Sequence, residues 1–182
     1  MAEQAGQGAN LDISDFPESN GPANANRESV RSGAESPALL RVLVIDDDAF
    51  IRRLLERLLG FVAGFDVTVT SSAMQGLALL QSGHHDVILS DAIMPDMNGR
   101  AFCAAVRDLG GPFATMPIMI LSAASAEDLG WEDLLGPCIG WLCKPFQPGE
   151  LVGQVVDLVE RARASRSREP SISNGPRLHN QS

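Results

Sequence analysis

The chain has 182 residues, 45% of them hydrophobic and 20% charged, with 23 acidic against 14 basic residues and a formal net charge of −9. That length holds one ordinary domain or two very small ones, and no stretch reaches the roughly 18 consecutive apolar residues of a membrane helix. The N-terminus MAEQAGQGANLDISD has no secretory pattern, the acidic balance argues against direct nucleic-acid binding, and three cysteines without a CxxC pair fit a reducing, cytoplasmic setting.

Residues 1–38 contain runs such as SNGPANAN and SGAESP and few large apolar side chains, so disorder is expected there. Residues 164–182 read the same way, and Leu11, Ile13 and Phe16 are read as part of the disordered segment. Between them, residues 39–163 are one domain's worth of chain. Arg41 to Ile45 (RVLVI) reads as a strand buried on both faces. Phe50, Ile51, Leu54, Leu55, Leu58 and Leu59 follow at helical spacing, with Gly60 as a stop. Asp66 to Thr70 alternates as an edge strand would, and Ser72 then precedes a helix carrying Met74, Leu77 and Leu80 and closed by Gly83. His84 and His85 read as solvated loop residues before a third strand, Asp86 to Ser90.

Asn98 is a candidate cap for a helix through Phe102, Val106 and Leu109, ended by Gly110-Gly111. Pro117 to Leu121 is a fourth strand, Ser125 to Leu135 a helix weakened by Gly130, and Ile139 to Cys143 a fifth strand. Pro148 opens a last helix with Leu151, Val152, Val155, Leu158 and Val159 on one stripe. Five strand–helix units joined by right-handed crossovers make an open, doubly wound α/β sandwich, which places its ligands outside the carboxyl ends of the strands.

Those ends carry the chemistry. Strand one ends in Asp46-Asp47-Asp48, strand three in Ser90-Asp91, strand four in Leu121-Ser122, and strand five in Cys143-Lys144-Pro145-Phe146. Carboxylates gathered at one rim raise one another's pKa unless a cation joins them. Mg²⁺ suits, because it takes one or two protein carboxylates, keeps waters and shares its other positions with phosphate oxygens. Lys144 is the single lysine among 14 basic residues, a compact charge suited to a carboxylate or an incoming phosphoryl group.

The strings VLVIDDDAFIRRLL, DVILSDAIMPDMNG, PIMILSA and GWLCKPF, in this order, resemble the receiver domain of bacterial two-component response regulators. The resemblance implies a flavodoxin-like, five-stranded sheet of order 2-1-3-4-5 with five helices. It implies Asp91 as phosphoacceptor and Mg²⁺ held by Asp46, Asp47, Asp91 and the backbone carbonyl of Ile93, with Asp47 and Asp91 foremost. Ser122 and Lys144 would bind the phosphoryl group, and Lys144-Pro145 would be a cis peptide. Trp141 would follow Ser122 in a switch, although tyrosine or phenylalanine is usual there. Asp48 is left as a helix cap, and Trp131 as core or docking patch.

The implied partners are a histidine kinase or histidine phosphotransfer protein and a downstream effector bound through the helix 4–strand 5–helix 5 face, with phosphorylation-dependent homodimerisation as a further mode. No membrane contact and no output domain are expected. The apolar side chains of Ile93 and Ala124, which cannot orient a water, imply a long-lived phosphorylated state. Two readings compete: a pseudo-receiver that binds partners without phosphorylation, and a haloacid-dehalogenase-like phosphatase using Asp46. Phe50, where threonine or valine is usual, and the lack of a cap domain count against the phosphatase.

Overall fold

The computed structural model describes residues 39–168; the expectations for Leu11, Ile13, Phe16 and both tails beyond those limits lie outside the described residues. The centre is a parallel sheet of β1 (Arg41–Ile45), β2 (Asp66–Thr70), β3 (Val87–Asp91), β4 (Ile118–Ser122) and β5 (Ile139–Cys143), in the order β2-β1-β3-β4-β5. The central strands β1, β3 and β4 are buried on both faces almost throughout, which is why their sequences run apolar without alternation. β2 lies at an edge, as its alternating sequence predicts, but its burial does not alternate, grading from exposed at Asp66 to buried at Thr70. Ile45 pairs with Ser90, Ser90 with Ile120, and Ser122 with Cys143, so the strands end level with one another along one rim.

Four α-helices cover the sheet: α1 (Ala49–Arg57), α2 (Ala73–Ser82), α3 (Gly99–Asp108) and α4 (Pro148–Arg168). On one side α1, the turn that follows it and α4 bury Leu55, Leu59, Leu151, Val155 and Leu158 against Val42, Val44, Leu89 and Leu121. On the other, α2 and α3 bury Leu80, Phe102 and Val106 against Leu43, Ile45, Ile88 and Ile120. Each such fully buried side chain contributes about 1.5–3 kcal/mol relative to exposure. Caps fall where the sequence puts them: the side chains of Asp48, Ser72 and Asn98 accept N–H groups of the first turns of α1, α2 and α3. α1 does not stop at Gly60 but continues as a π-helical turn, Leu58–Val62, and the chain turns at Gly64, whose φ of 70° suits glycine. α4 runs to Arg168, past the boundary at 163.

The fifth helix expected over Ser125–Leu135 is absent. Asp128 accepts from Ser125 N (3.1 Å) and Ser125 Oγ (2.7 Å), and Ser125 Oγ accepts from Asp128 N (3.1 Å), a reciprocal cap on a single turn, closed by Leu129 N to Ser125 O (3.3 Å), that does not propagate. Gly130 adopts φ 65°, and only a 3₁₀ turn, Glu132–Leu134, follows. The face expected from helix 4, strand 5 and helix 5 is therefore built from an irregular connection, β5 and α4. His85 also departs from expectation: it is half-buried and its Nδ1 has no hydrogen-bond partner.

Candidate functional site

The sequence ends β1, β3, β4 and β5 with Asp46, Asp91, Ser122 and Lys144, and the level register of the strands gathers these groups. Lys144 Nζ donates to Asp91 Oδ1 (2.6 Å) and to Asp46 Oδ2 (2.8 Å), joining strand ends 53 and 98 residues away in sequence. Its backbone is fixed to β4, where Lys144 N donates to Ser122 O (2.6 Å); the Lys144-Pro145 peptide is cis. The Lys144 side chain is 20% exposed, that of Asp91 15% and that of Asp46 1%. Asp91 thus faces solvent more than Asp46 does.

Two carboxylates share one cation here, and the minority charge is the favoured one. Burial opposes the charge on Lys144, but hydrogen bonds and attraction from Asp46 and Asp91 outweigh it and raise its pKa above the ordinary value. Asp46 goes the other way for a carboxylate: its burial dominates the bonds from Lys144 and from Asp48 N, and its pKa rises. Both Asp46 oxygens are occupied, Oδ1 by Asp48 N (2.9 Å) and Oδ2 by Lys144.

The loop after β3 closes over the rim. Asp91 Oδ2 accepts from Ile93 N (2.8 Å), and Gly99 N donates to Ala92 O (2.8 Å). A Cβ on Gly99 would lie 3.1 Å from Asp91 O and 3.2 Å from Ala92 Cα, so a side chain there would push against backbone. Ala92 and Met94 are buried, whereas Ile93 between them is 65% exposed. Among the described residues no hydrogen bond uses the Ile93 carbonyl.

Ser122 is buried, and its Oγ accepts from Ala124 N (3.1 Å). The Ala124 carbonyl in turn accepts from Trp141 Nε1 (3.2 Å). Trp141 is half-buried and packs edge-on against Trp131, with centroids 5.9 Å apart and planes at 85°. Trp131 is thus neither buried core nor an isolated exposed patch.

Asp47 is exposed at the same rim, and among the described residues no three carboxylate, imidazole or thiol side chains close on a common point. The donors at the rim are all oxygen: Asp46, Asp47, Asp91 and the free Ile93 carbonyl. That set fits a hard divalent cation that keeps most of its waters, not a zinc-type cage.

Two residues that the sequence does not single out brace the rim. Arg52 Nη1 donates to Asp46 O (2.6 Å), pinning the end of β1 from α1. Its position four residues after the Asp48 cap, hence on the same side of the helix, is the signal that could have found it. Asp96 accepts from Ser72 Oγ (2.7 Å) and Met74 N (3.1 Å), a link between loop and α2 that only tertiary structure shows.

The sequence model of the response regulator receiver domain matches residues 42–156. The transcriptional regulatory protein GltR of Pseudomonas aeruginosa is 34% identical over 134 residues, covering 70% of this chain and 52% of the relative. Response regulator MprA of Mycobacterium avium is 28% identical over 130 residues, covering 71% and 55%. The chain spans about half the length of these curated relatives. Among solved structures, the chemotaxis protein CheY4 of Vibrio cholerae is 34% identical with a TM-score of 0.60, covering 66% of this chain and 99% of its own. A response regulator receiver protein from Sinorhizobium medicae is 28% identical with a TM-score of 0.60, covering 70% and 99%. The matched span runs from β1 into α4 and includes every strand end that builds the rim: the chain belongs to the response regulator receiver domain family of two-component systems.

Proposed function

We propose that the protein accepts a phosphoryl group on Asp91 from a phosphohistidine of a histidine kinase or phosphotransfer protein, and signals through phosphorylation-dependent protein binding or phosphorelay. Receiver domains as a family are signalling modules that work with histidine kinases and effectors and generally bind Mg²⁺ at the phosphorylation site. The observation that carries the reading is the ion pair from Lys144 Nζ to Asp91 Oδ1 at 2.6 Å, which puts a mobile cation on the more exposed of the two paired carboxylates.

An Asp91 carboxylate oxygen attacks phosphorus; the P–N bond to the donor imidazole breaks, and its electron pair returns to the ring nitrogen, which takes up a proton. Asp47, Asp91 and the Ile93 carbonyl would hold Mg²⁺, with Asp46 beside them, and the ion supplies charge neutralisation for the phosphoryl oxygens. Lys144 moves from carboxylate to phosphoryl oxygen, adding to that neutralisation with a preplaced charge. The Ser122 hydroxyl gives up Ala124 N and donates to the new phosphoryl group, and Trp141 responds through the backbone of Ala124.

Phe50, Met74 and Ile93 are large, exposed apolar side chains at the start of α1, at the start of α2 and in the loop after β3. They favour a protein as donor, since a small phosphodonor needs no apolar rim. The output surface is the irregular β4–β5 connection with β5 and α4, where an effector or a second phosphorylated copy docks. The setting is cytoplasmic; among the described residues no helix is long and apolar enough to cross a membrane. The only turnover is self-phosphorylation and slow dephosphorylation.

Intact mass after incubation with acetyl phosphate and Mg²⁺ tests the reading. One added phosphoryl group, released by hydroxylamine and absent from Asp91→Asn, is expected. A wild type that stays unmodified with acetyl phosphate and with a phosphohistidine donor is a pseudo-receiver, and the reading fails.

A further inference from the structure

We propose that Asp96 is a positioning residue for the metal site, tying the loop that presents the Ile93 carbonyl to the first turn of α2. The inference rests on the reading above that this carbonyl is a metal ligand. The loop from Ala92 to Asn98 is fixed at its ends, where Gly99 N bonds Ala92 O at 2.8 Å and Ile93 N bonds Asp91 Oδ2 at 2.8 Å. Among the described residues its middle has one polar anchor to another element: Asp96 Oδ2 accepts from Ser72 Oγ at 2.7 Å and from Met74 N at 3.1 Å.

The charge suits its place. α2 begins at Ala73, so Met74 N is one of the first-turn N–H groups that no helical carbonyl can satisfy, and the helix dipole there favours an anion. Ser72 already accepts from Gln75 N at 3.3 Å, so its hydroxyl links the cap of α2 to the loop in one chain of bonds. Desolvation works against ionisation of Asp96, but the bonds from Met74 and Ser72 outweigh it and hold the carboxyl below its ordinary range, so the tie is charged at neutral pH.

The tie acts on geometry that the metal needs. Met94, next in sequence to Ile93, is buried, and the backbone between that anchor and Asp96 is only Pro95 long. A shift at Asp96 therefore passes to the Ile93 carbonyl over a short, ring-stiffened span. A group that orients a metal ligand without touching the metal supports affinity for the ion.

Isothermal titration calorimetry with Mg²⁺ on the full chain tests this. Asp96→Ala is expected to weaken Mg²⁺ binding about tenfold, the lower end for a group that supports a ligand. Asp96→Asn, which accepts the same two bonds without the charge, is expected to lose about threefold. Asp128→Ala removes a comparable exposed two-donor carboxylate from another loop and leaves the affinity unchanged. The Mg²⁺ concentration giving half the maximal rate of acetyl phosphate modification shifts by the same factors, with the rate at saturating Mg²⁺ kept. Should Asp96→Ala fail to fold, Ser72→Gly, which keeps a tolerated helix cap but deletes the hydroxyl donor, decides by a loss of about threefold. Wild-type affinity in the folded Asp96 or Ser72 variants, or an equal loss in Asp128→Ala, overturns the proposal. A wild type that binds no Mg²⁺, or whose binding survives Asp47→Asn and Asp91→Asn together, instead overturns the reading of the site and this proposal with it.

Discussion

Asp46 and Ile93 carry the sharpest consequences at the scale of single residues. Burial raises the pKa of Asp46 in the folded state above 3.8. Below 3.8 the carboxyl is protonated folded and unfolded alike; above it the folded protein holds the proton longer, so this group lowers stability as pH rises through the interval and at a constant level beyond. Asp46→Asn, free of that charge, is therefore expected to gain stability relative to wild type as pH rises above 3.8, in metal-free denaturant titrations at several pH values. An advantage that shrinks with rising pH contradicts this. Lys144 has the opposite sign: its raised folded pKa contributes stability at neutral pH that is lost as pH climbs above 10.5 through the folded value. Ile93, 65% exposed beside Asp91, offers no polar group to an attacking water. Ile93→Asn is expected to speed loss of the phosphoryl group roughly tenfold, below the ~10² that a positioned general base supplies. Decay of the modified mass after removal of donor reads it directly, and an unchanged lifetime refutes the role.

The connection from β4 to β5 distinguishes this molecule at the scale of elements. With no α-helix between these strands, Ala124 becomes the crossing residue, its N–H on Ser122 Oγ and its carbonyl on Trp141 Nε1. Arg100 Nη1 and Nη2 donate to Asp133 at 2.8 and 2.6 Å, clasping the far part of the connection to α3 in an exposed pair that salt will screen. Withdrawal of the Ser122 hydroxyl on phosphorylation should therefore reach both indoles, the only two in the chain. Trp131→Phe is expected to keep a Mg²⁺- and acetyl-phosphate-dependent change in tryptophan emission, and Trp141→Phe to lose most of it. A spectrum from Trp131→Phe that ignores phosphorylation would remove Trp141 from the switch. This connection also marks where sequence reading stopped. The central strands were legible because buried parallel strands run apolar, β2 because its residues alternate, and three helix starts because Asp48, Ser72 and Asn98 are good caps. The Ser125–Leu135 pattern looks helical because its apolar spacing is local and Ser125 and Asp128 do cap one turn, whereas the left-handed Gly130 that ends it is a backbone choice periodicity does not register.

For the whole molecule, the fold is a means of bringing distant sequence positions to one rim. Asp46, Asp91, Ser122 and Lys144 could be read as strand ends, so the sequence placed them together. It did not foresee that Lys144 would bridge two of them while Asp47 stays exposed, nor that Arg52 and Asp96 would brace the rim from α1 and towards α2. An ion bound only by the folded rim stabilises it by mass action, about 2.7 kcal/mol at 100 times its dissociation constant. Thermal unfolding is thus expected to rise with Mg²⁺ in wild type and to lose most of that rise in Asp47→Asn; equal shifts in both would place the ion elsewhere. The most direct measurement of the central claim is chemical: modify the protein with acetyl phosphate and Mg²⁺, reduce it with borohydride, which turns an aspartyl phosphate into homoserine, and sequence the peptides by mass. The account predicts homoserine at position 91 alone. Homoserine at position 46, the nucleophile of the competing phosphatase reading, would contradict it.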